Sequence, residues 1–364
     1  MRAFFVPEAD ETLNFKLGCD DGFRLIIDGD TVVNVWKGRA RVQTANKQVA
    51  VKKGKPMKVQ VDYFQRTDLA VMQFDVQKNY TPTEQQLLAE AKDADVVVFV
   101  GGISPSLEGE EMKVSEPGFK GGDRTDIELP MAQRKVMEML HKAGKRVVFV
   151  NCSGSAIAMV PETENAEAIL QAWYPGECGG EAVAKVLFGD VNPSGKLPVT
   201  FYRHTSDLPD FLDYTMKNRT YRYFKGDALF PFGHGLSYTQ FEYGKDLRVK
   251  SEERRVKNSN AVTDYRLEFT LYNKGTREGT EVAQVYIKRM ADTDGPIKTL
   301  KAYKRVSLKA GESQNVSIDL PRKSFEVWDA QTNTMRVLPG KYQVFVGGSS
   351  ADAAKNVIEV KVKK

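Results

Sequence analysis

Five apolar, β-prone residues, VVVFV at 96–100, stand between Asp95 and the pair Gly101-Gly102. A run with no polar residue on either side reads as a strand buried on both faces, the habit of parallel sheets. The chain then shows no helical or alternating period through Arg124, about two dozen residues, and loops that long in a compact domain are usually functional. This loop leaves the carboxyl end of a buried strand, where open α/β sheets place their ligands. It carries Glu108, Glu110, Glu111 and Glu116, then Asp123-Arg124. The arrangement suits a loop that delivers a carboxyl group to a substrate.

Around it the chain changes character twice. Residues 1–80 hold short alternating or apolar runs at 13–17, 23–27, 31–35, 58–63 and 70–74, parted by turn clusters such as CDDG and DGD. That spacing predicts an antiparallel sandwich. The Asp-Gly clusters supply the positive φ that tight hairpins need, with a calcium or sugar-hydroxyl site as the alternative. At 81–84, TPTE predicts a helix start, with Thr81 as cap, Pro82 first and Glu84 completing a capping box. A helix over 130–143, a strand over 146–150, a strand over 168–173, a helix over 181–188 and a strand-like stretch over 197–202 follow. Strand, glycine-bearing turn and helix in repetition mean a mainly parallel sheet with helices on its faces.

From 208 to 243 aromatic residues crowd the sequence, among them Phe211, Tyr214, Tyr221, Phe224, Phe230 and Phe232. They read mainly as an extended segment held over the preceding domain by ring burial, and secondarily as a sugar-stacking wall. A charged linker is expected at 250–257. Strands at 265–271, 281–287, 314–318 and 342–346 then predict a second antiparallel sandwich. The whole is a multidomain α/β plus all-β chain: a central, mainly parallel α/β sandwich over 81–247, flanked by antiparallel β-sandwiches over 1–80 and 248–364.

Several function classes drop out. A net charge of +5 spread over 364 residues, with no basic block, argues against nucleic acid. Cys19, Cys152 and Cys178 lie far apart, and His141, His204 and His234 form no HxxxH pair, so neither a metal site nor a disulfide framework is indicated. No cofactor is expected. No apolar run reaches membrane-spanning length, and Pro7, Glu8, Asp10 and Glu11 interrupt the N-terminal apolar patch too early for a signal peptide. Ser155 lacks the GxSxG setting of a nucleophile, and Gly101-Gly102 does not extend to GxGxxG.

Dense motifs carry a resemblance. LEGEEM at 107–112, GDR at 122–124 with LP at 129–130, QAWYPGECGGEA at 171–182, NPSGKLPVTF at 192–201 and PFGHGLSYT at 231–239 occur in this order. Together they resemble the carboxyl-terminal α/β sandwich domain of glycoside hydrolase family three. The last residues resemble the fibronectin type III-like domain that commonly follows. CDDGFRLIIDGDTVVNVW at 19–36 is similar to the protective-antigen-type β-sandwich inserted in some members. TYRYF at 220–224 and PFGHGLSYT point to β-xylosidase and β-glucosidase members.

The resemblance implies a retaining, exo-acting β-glycosidase working at the non-reducing end of an oligosaccharide or aryl glycoside. It implies two carboxyl groups. The acid/base falls on Glu110, with Glu108 the nearest rival. Glu111 and Glu116 are expected in solvent, and Asp123-Arg124 as a structural pair shaping the loop. The aspartate nucleophile is expected from a (β/α)8 barrel that this chain lacks. The chain is thus expected to begin inside its first sandwich and to be a piece of a longer protein, inactive alone and with its loop solvated. By analogy the protein belongs in the periplasm or outside the cell. The alternative is a non-catalytic carbohydrate-binding or scaffolding protein.

Overall fold

The structure, a computed structural model, describes all residues except 38–41, 67–69, 79–81, 110, 111, 113, 115, 255–261 and 364. They gather into two compact units, Met1–Glu90 and Ala91–Lys364.

The first unit holds β1 (Arg2–Phe5), β2 (Glu11–Cys19), β3 (Gly22–Ile27), β4 (Asp30–Val35), β5 (Gln43–Val51), β6 (Met57–Phe64), β7 (Met72–Lys78) and helix α1 (Glu84–Glu90). Two antiparallel sheets, β1-β6-β3-β4 and β5-β2-β7, share one core of Leu13, Phe15, Leu17, Phe23, Leu25, Val59 and Val61. Alternation produces this: every second residue of β2 and β6 points inward. Strands β1 and β5 are the ones that pattern reading missed. The helix begins two residues later than expected. Thr81 lies outside the described residues, and the reciprocal cap joins Thr83 and Gln86: Thr83 N–H donates to Gln86 Oε1 at 2.9 Å, and Gln86 N–H to Thr83 Oγ1 at 3.3 Å.

The second unit begins with β8 (Val96–Ile103), α2 (Pro105–Glu108), β9 (Phe119–Lys120), β10 (Asp123–Arg124), α3 (Met131–Lys142), β11 (Arg146–Ser153), α4 (Val160–Asn165), β12 (Ala168–Gln171), α5 (Gly179–Leu187) and α6 (Thr220–Tyr223). Strands β12, β11 and β8 form a parallel sheet in that order. Central β11 buries Val147, Phe149 and Val150. Strand β8 is not buried on both faces as its composition suggested. It lies at the sheet's edge, and Val96, Val98 and Val100 are 39, 49 and 64 % exposed. Residues 197–202 form no strand either. Pro198 has no N–H for a ladder, and Phe201 makes an isolated bridge to Phe230.

The remainder holds β13 (Phe241–Tyr243), β14 (Arg248–Arg254), β15 (Val262–Asn273), β16 (Gly279–Arg289), β17 (Thr299–Leu308), β18 (Ser313–Leu320), β19 (Glu326–Asp329), β20 (Thr334–Val337), β21 (Gly340–Gly347) and β22 (Val357–Val362). One sheet joins β13, β14 and β18 to β15, and the other runs β17-β16-β21-β22. Their shared core includes Leu267, Phe269, Leu271, Val285, Phe325, Tyr342 and Val344. The expected linker at 250–257 is corrected in part: Arg248–Arg254 is a strand paired antiparallel to β15, and 255–257 lie outside the described residues.

The aromatic segment divides. Tyr221 stacks on Phe232 with centroids 4.2 Å apart, and Tyr202 meets Phe224 edge-on. The segment's turn at Pro231–Gly235 is sewn to the C-terminal strands. Gln284 Nε2 donates to Gly233 O at 3.1 Å and also to Gly348 O, and Ser350 N–H donates to Phe232 O at 2.8 Å. Beside it, Lys196 Nζ lies 3.1 Å from Glu281 Oε1 with both side chains nearly buried. Phe211 and Tyr214 take no part in the wrapping and stand 85 and 87 % exposed.

Candidate active site

The loop after β8 is more ordered at its start than its sequence suggests. Ser104 caps the turn α2, its Oγ accepting from Leu107 N–H at 3.2 Å, and Pro105 takes the first helical position. Gly109 ends the turn at φ +60°, with its N–H on Pro105 O. A side chain rarely adopts that left-handed conformation, so glycine is suited to the position directly before residue 110. Glu110 and Glu111 lie outside the described residues. Glu116 is exposed, as expected.

Glu108 is half-buried rather than solvated. Residues beyond two other strand ends reach it. From beyond β11, Ser155 Oγ donates to Glu108 Oε1 at 3.1 Å. From beyond β12, the Tyr174 hydroxyl donates to Glu108 Oε2 at 2.8 Å and lies 3.0 Å from Ile103 O at the end of β8. Both carboxylate oxygens are thereby engaged by neutral donors, and the Arg124 guanidinium supplies positive charge alongside. Burial, the hydrogen bond to Glu108 and that carboxylate's charge push the Tyr174 phenol above its ordinary range, so the donor keeps its proton through neutral pH.

Arg124 arrives from a small ribbon. Strands β9 and β10 pair antiparallel, and their alternation sends Asp123 to solvent and Arg124 inward. The expected Asp123-Arg124 structural pair is therefore Arg124 acting on its own. Arg124 Nη1 donates to Ser155 Oγ at 3.2 Å and Nη2 to Glu128 O at 3.2 Å, while its buried Nε has no partner among the described residues. Burial draws its pKa below the usual arginine range, against the attraction of Asp126, Glu108 and Glu128. A cleft of about 460 Å³ opens beside it, with Arg124, Asp126, Thr205, Phe211, Tyr214 and Arg219 in its walls.

A second carboxylate cluster is structural. Arg134 on α3 pairs with Glu128 at 2.7 Å and with Glu162 at 2.8 Å, and Glu162 is 1 % exposed. A buried charge needs such a partner. Ser155, set aside as a nucleophile, proves to be a hydrogen-bond donor. Tyr174, which pattern reading took only as part of a motif, is the residue it missed. The signal was its place just after a third strand of the same parallel sheet. Among the described residues no group of histidine, cysteine and carboxylate side chains has the arrangement of a metal site. No helix among them is long and apolar enough to cross a membrane.

Comparison with known proteins bears on these residues. The model of the glycosyl hydrolase family 3 C-terminal domain matches residues 27–238, more than half of the chain, and begins within the first unit. A fibronectin type III-like domain matches 281–350. The chain is 47% identical over 333 residues to a xylan 1,4-beta-xylosidase of Xylanibacter ruminicola, covering 91% of this chain and 37% of that protein. It is 36% identical over 287 residues to a periplasmic beta-glucosidase of Salmonella typhimurium, covering 74% and 35%. A beta-glucosidase from Kluyveromyces marxianus in complex with glucose superposes with a TM-score of 0.75 at 27% identity, covering 100% of this chain and 44% of that one. The chain thus spans well under half the length of these relatives. It belongs to glycosyl hydrolase family 3.

Proposed function

We propose that this chain supplies the general acid/base of a retaining, exo-acting β-glycosidase of the β-xylosidase or β-glucosidase type, with Glu110 in that role. The observation that carries the reading is the grip on Glu108 by Ser155 and Tyr174 from beyond two neighbouring parallel strands, two residues before Glu110 in the loop that the family motif marks. A general acid must present its proton to the glycosidic oxygen. Both oxygens of Glu108 are engaged by hydroxyl groups, which favours its neighbour for the chemistry. The relatives named as xylosidase and glucosidase support the substrate class, an oligosaccharide or aryl glycoside.

The nucleophile in this reading is an aspartate on a (β/α)8 barrel, which is not among these 364 residues. Residues 1–80 then correspond to a protective-antigen-type sandwich, 81–247 to the α/β sandwich and 248–364 to the fibronectin-like sandwich. A periplasmic or extracellular setting follows the Salmonella relative.

The test is hydrolysis of aryl β-xyloside and β-glucoside by the chain alone and with the barrel present. Replacing a general acid costs about 10²–10⁴-fold. Glu110→Gln is expected to lower turnover of a poor leaving group by that factor, with an activated leaving group or azide restoring it. If Glu108→Gln alone gives the rescue pattern, the acid/base is Glu108. If the chain alone turns over substrate, the nucleophile lies within it. The exposed rings of Phe211 and Tyr214 beside the Arg124 cleft favour a second reading, non-catalytic carbohydrate binding. Retention on insoluble xylan without turnover in either setting would select it.

A further inference from the structure

We propose that Tyr174 is a positioning residue for the acid/base loop and acts through Glu108. The inference rests on the reading of that loop given above and adds what holds it in place.

The hydroxyl of Tyr174 has one proton and faces two acceptors, Glu108 Oε2 at 2.8 Å and Ile103 O at 3.0 Å. A charged acceptor makes the stronger bond, so while Glu108 is ionised the proton is directed to it. The bond holds the last residue of α2 from the strand end beyond β12, with the phenol oxygen 3.0 Å from Ile103 O at the end of β8. Ser155 completes the grip on the other carboxylate oxygen, and Arg124 fixes Ser155.

The backbone around Tyr174 is arranged to permit this. Trp173 holds φ +57°, an uncommon and strained conformation for a large side chain. A Cβ at Gly154 would lie 2.5 Å from Tyr174 Cε2, so the ring crosses where only a glycine leaves room. Beyond Glu108 the chain has a single residue, the left-handed Gly109, before residue 110. Misplacing a catalytic group by about 1 Å lowers rate on the order of a hundredfold, so the place of Glu108 matters to an acid/base two positions along the sequence.

Two variants test this. Tyr174→Phe removes the bond and keeps the ring, whereas Gly154→Ala keeps the hydroxyl and displaces the ring. The first readout is amide hydrogen exchange in the 364-residue chain. The amides of Leu107, Glu108 and Gly109, bonded to Ser104 O and Pro105 O, should exchange at least about tenfold faster in both variants, the loss expected for one hydrogen bond to a charged group. Those of β15 and β16 should be unchanged, which also reports that the variants fold.

The second readout is turnover with the barrel present. Both variants should lose about ten- to a hundredfold in kcat/KM on a poor leaving group and far less on an activated one. A general loss of structure would lower both alike. Unchanged exchange at 107–109 overturns the proposal, and so does faster exchange with the leaving-group pattern intact. A parent protein that shows no turnover even with the barrel sinks the glycosidase reading, and the role of Tyr174 in it, whatever the exchange result.

Discussion

The C-terminal sandwich and the parallel sheet of the second unit are built from differently patterned strands, and they close differently. In the sandwich, β15 puts Leu267, Phe269 and Leu271 inward and Arg266, Glu268 and Thr270 outward. In the sheet, β8 is apolar on both faces, but its odd and even positions meet different surroundings. Val97 and Phe99 are partly covered, Phe99 meeting Phe149 at 5.9 Å, while Val96, Val98 and Val100 face solvent. Alternation writes the buried face into the sequence. A uniform run states only that burial on either side is permitted.

Three measurements would break or sharpen this contrast. The largest effect is expected inside the sandwich. Phe269→Ala should destabilise the second unit by about 3–5 kcal/mol, since the cavity forms where both sheets press on the ring. A urea midpoint close to that of the parent protein would show the sandwich core to be loosely packed.

A smaller, pH-dependent effect is expected at the seam between the sandwich and the wrapped segment. His234 stacks on Phe230, and burial, then the charge of Lys196, depress its pKa below 6.5. The folded state thus binds fewer protons than the unfolded state in the interval between the two values. Its contribution is complete above the unfolded pKa and is lost as pH falls through the lowered folded one. His234→Phe should flatten the acid limb of stability measured by thermal melts from pH 7 to 5. An unchanged slope would place the titration elsewhere.

The smallest effect is expected on β8. Val98→Thr should change stability by no more than about 0.5 kcal/mol, the usual range for an exposed position. A loss above about 2 kcal/mol in the urea midpoint would mean that the valine face is covered in solution.

Sequence pattern served best where alternation was strict, as in β2, β6 and β21. It failed on β14, whose SEER segment reads as a linker but sits paired beside β15 with Glu252 and Glu253 exposed. It misplaced the start of α1 because Thr81 and Thr83 both offer a cap in the sequence, and the reciprocal bonds join Thr83 and Gln86. It read 197–202 as a strand because apolar content outweighed Pro198. In the candidate site, the loop and Glu108 were visible from their place after a strand. Ser155 and Tyr174 lie 47 and 66 residues farther along the chain. No local pattern couples residues so distant, and the parallel sheet alone brings its strand ends together.

The seam at Gln284 bears on inheritance. One buried amide serves two carbonyls, Gly233 from the wrapped segment and Gly348 from the C-terminal strands, beside the nearly buried Lys196–Glu281 pair. Recombination near residue 247 would join strands from one ancestor to a turn from another. It would preserve folding only if both ancestors carried the same amide, carbonyls and charges across the junction. The turn at Pro231–Gly235 and the sandwich that follows it are therefore expected to be exchanged together, although their sequences read as two.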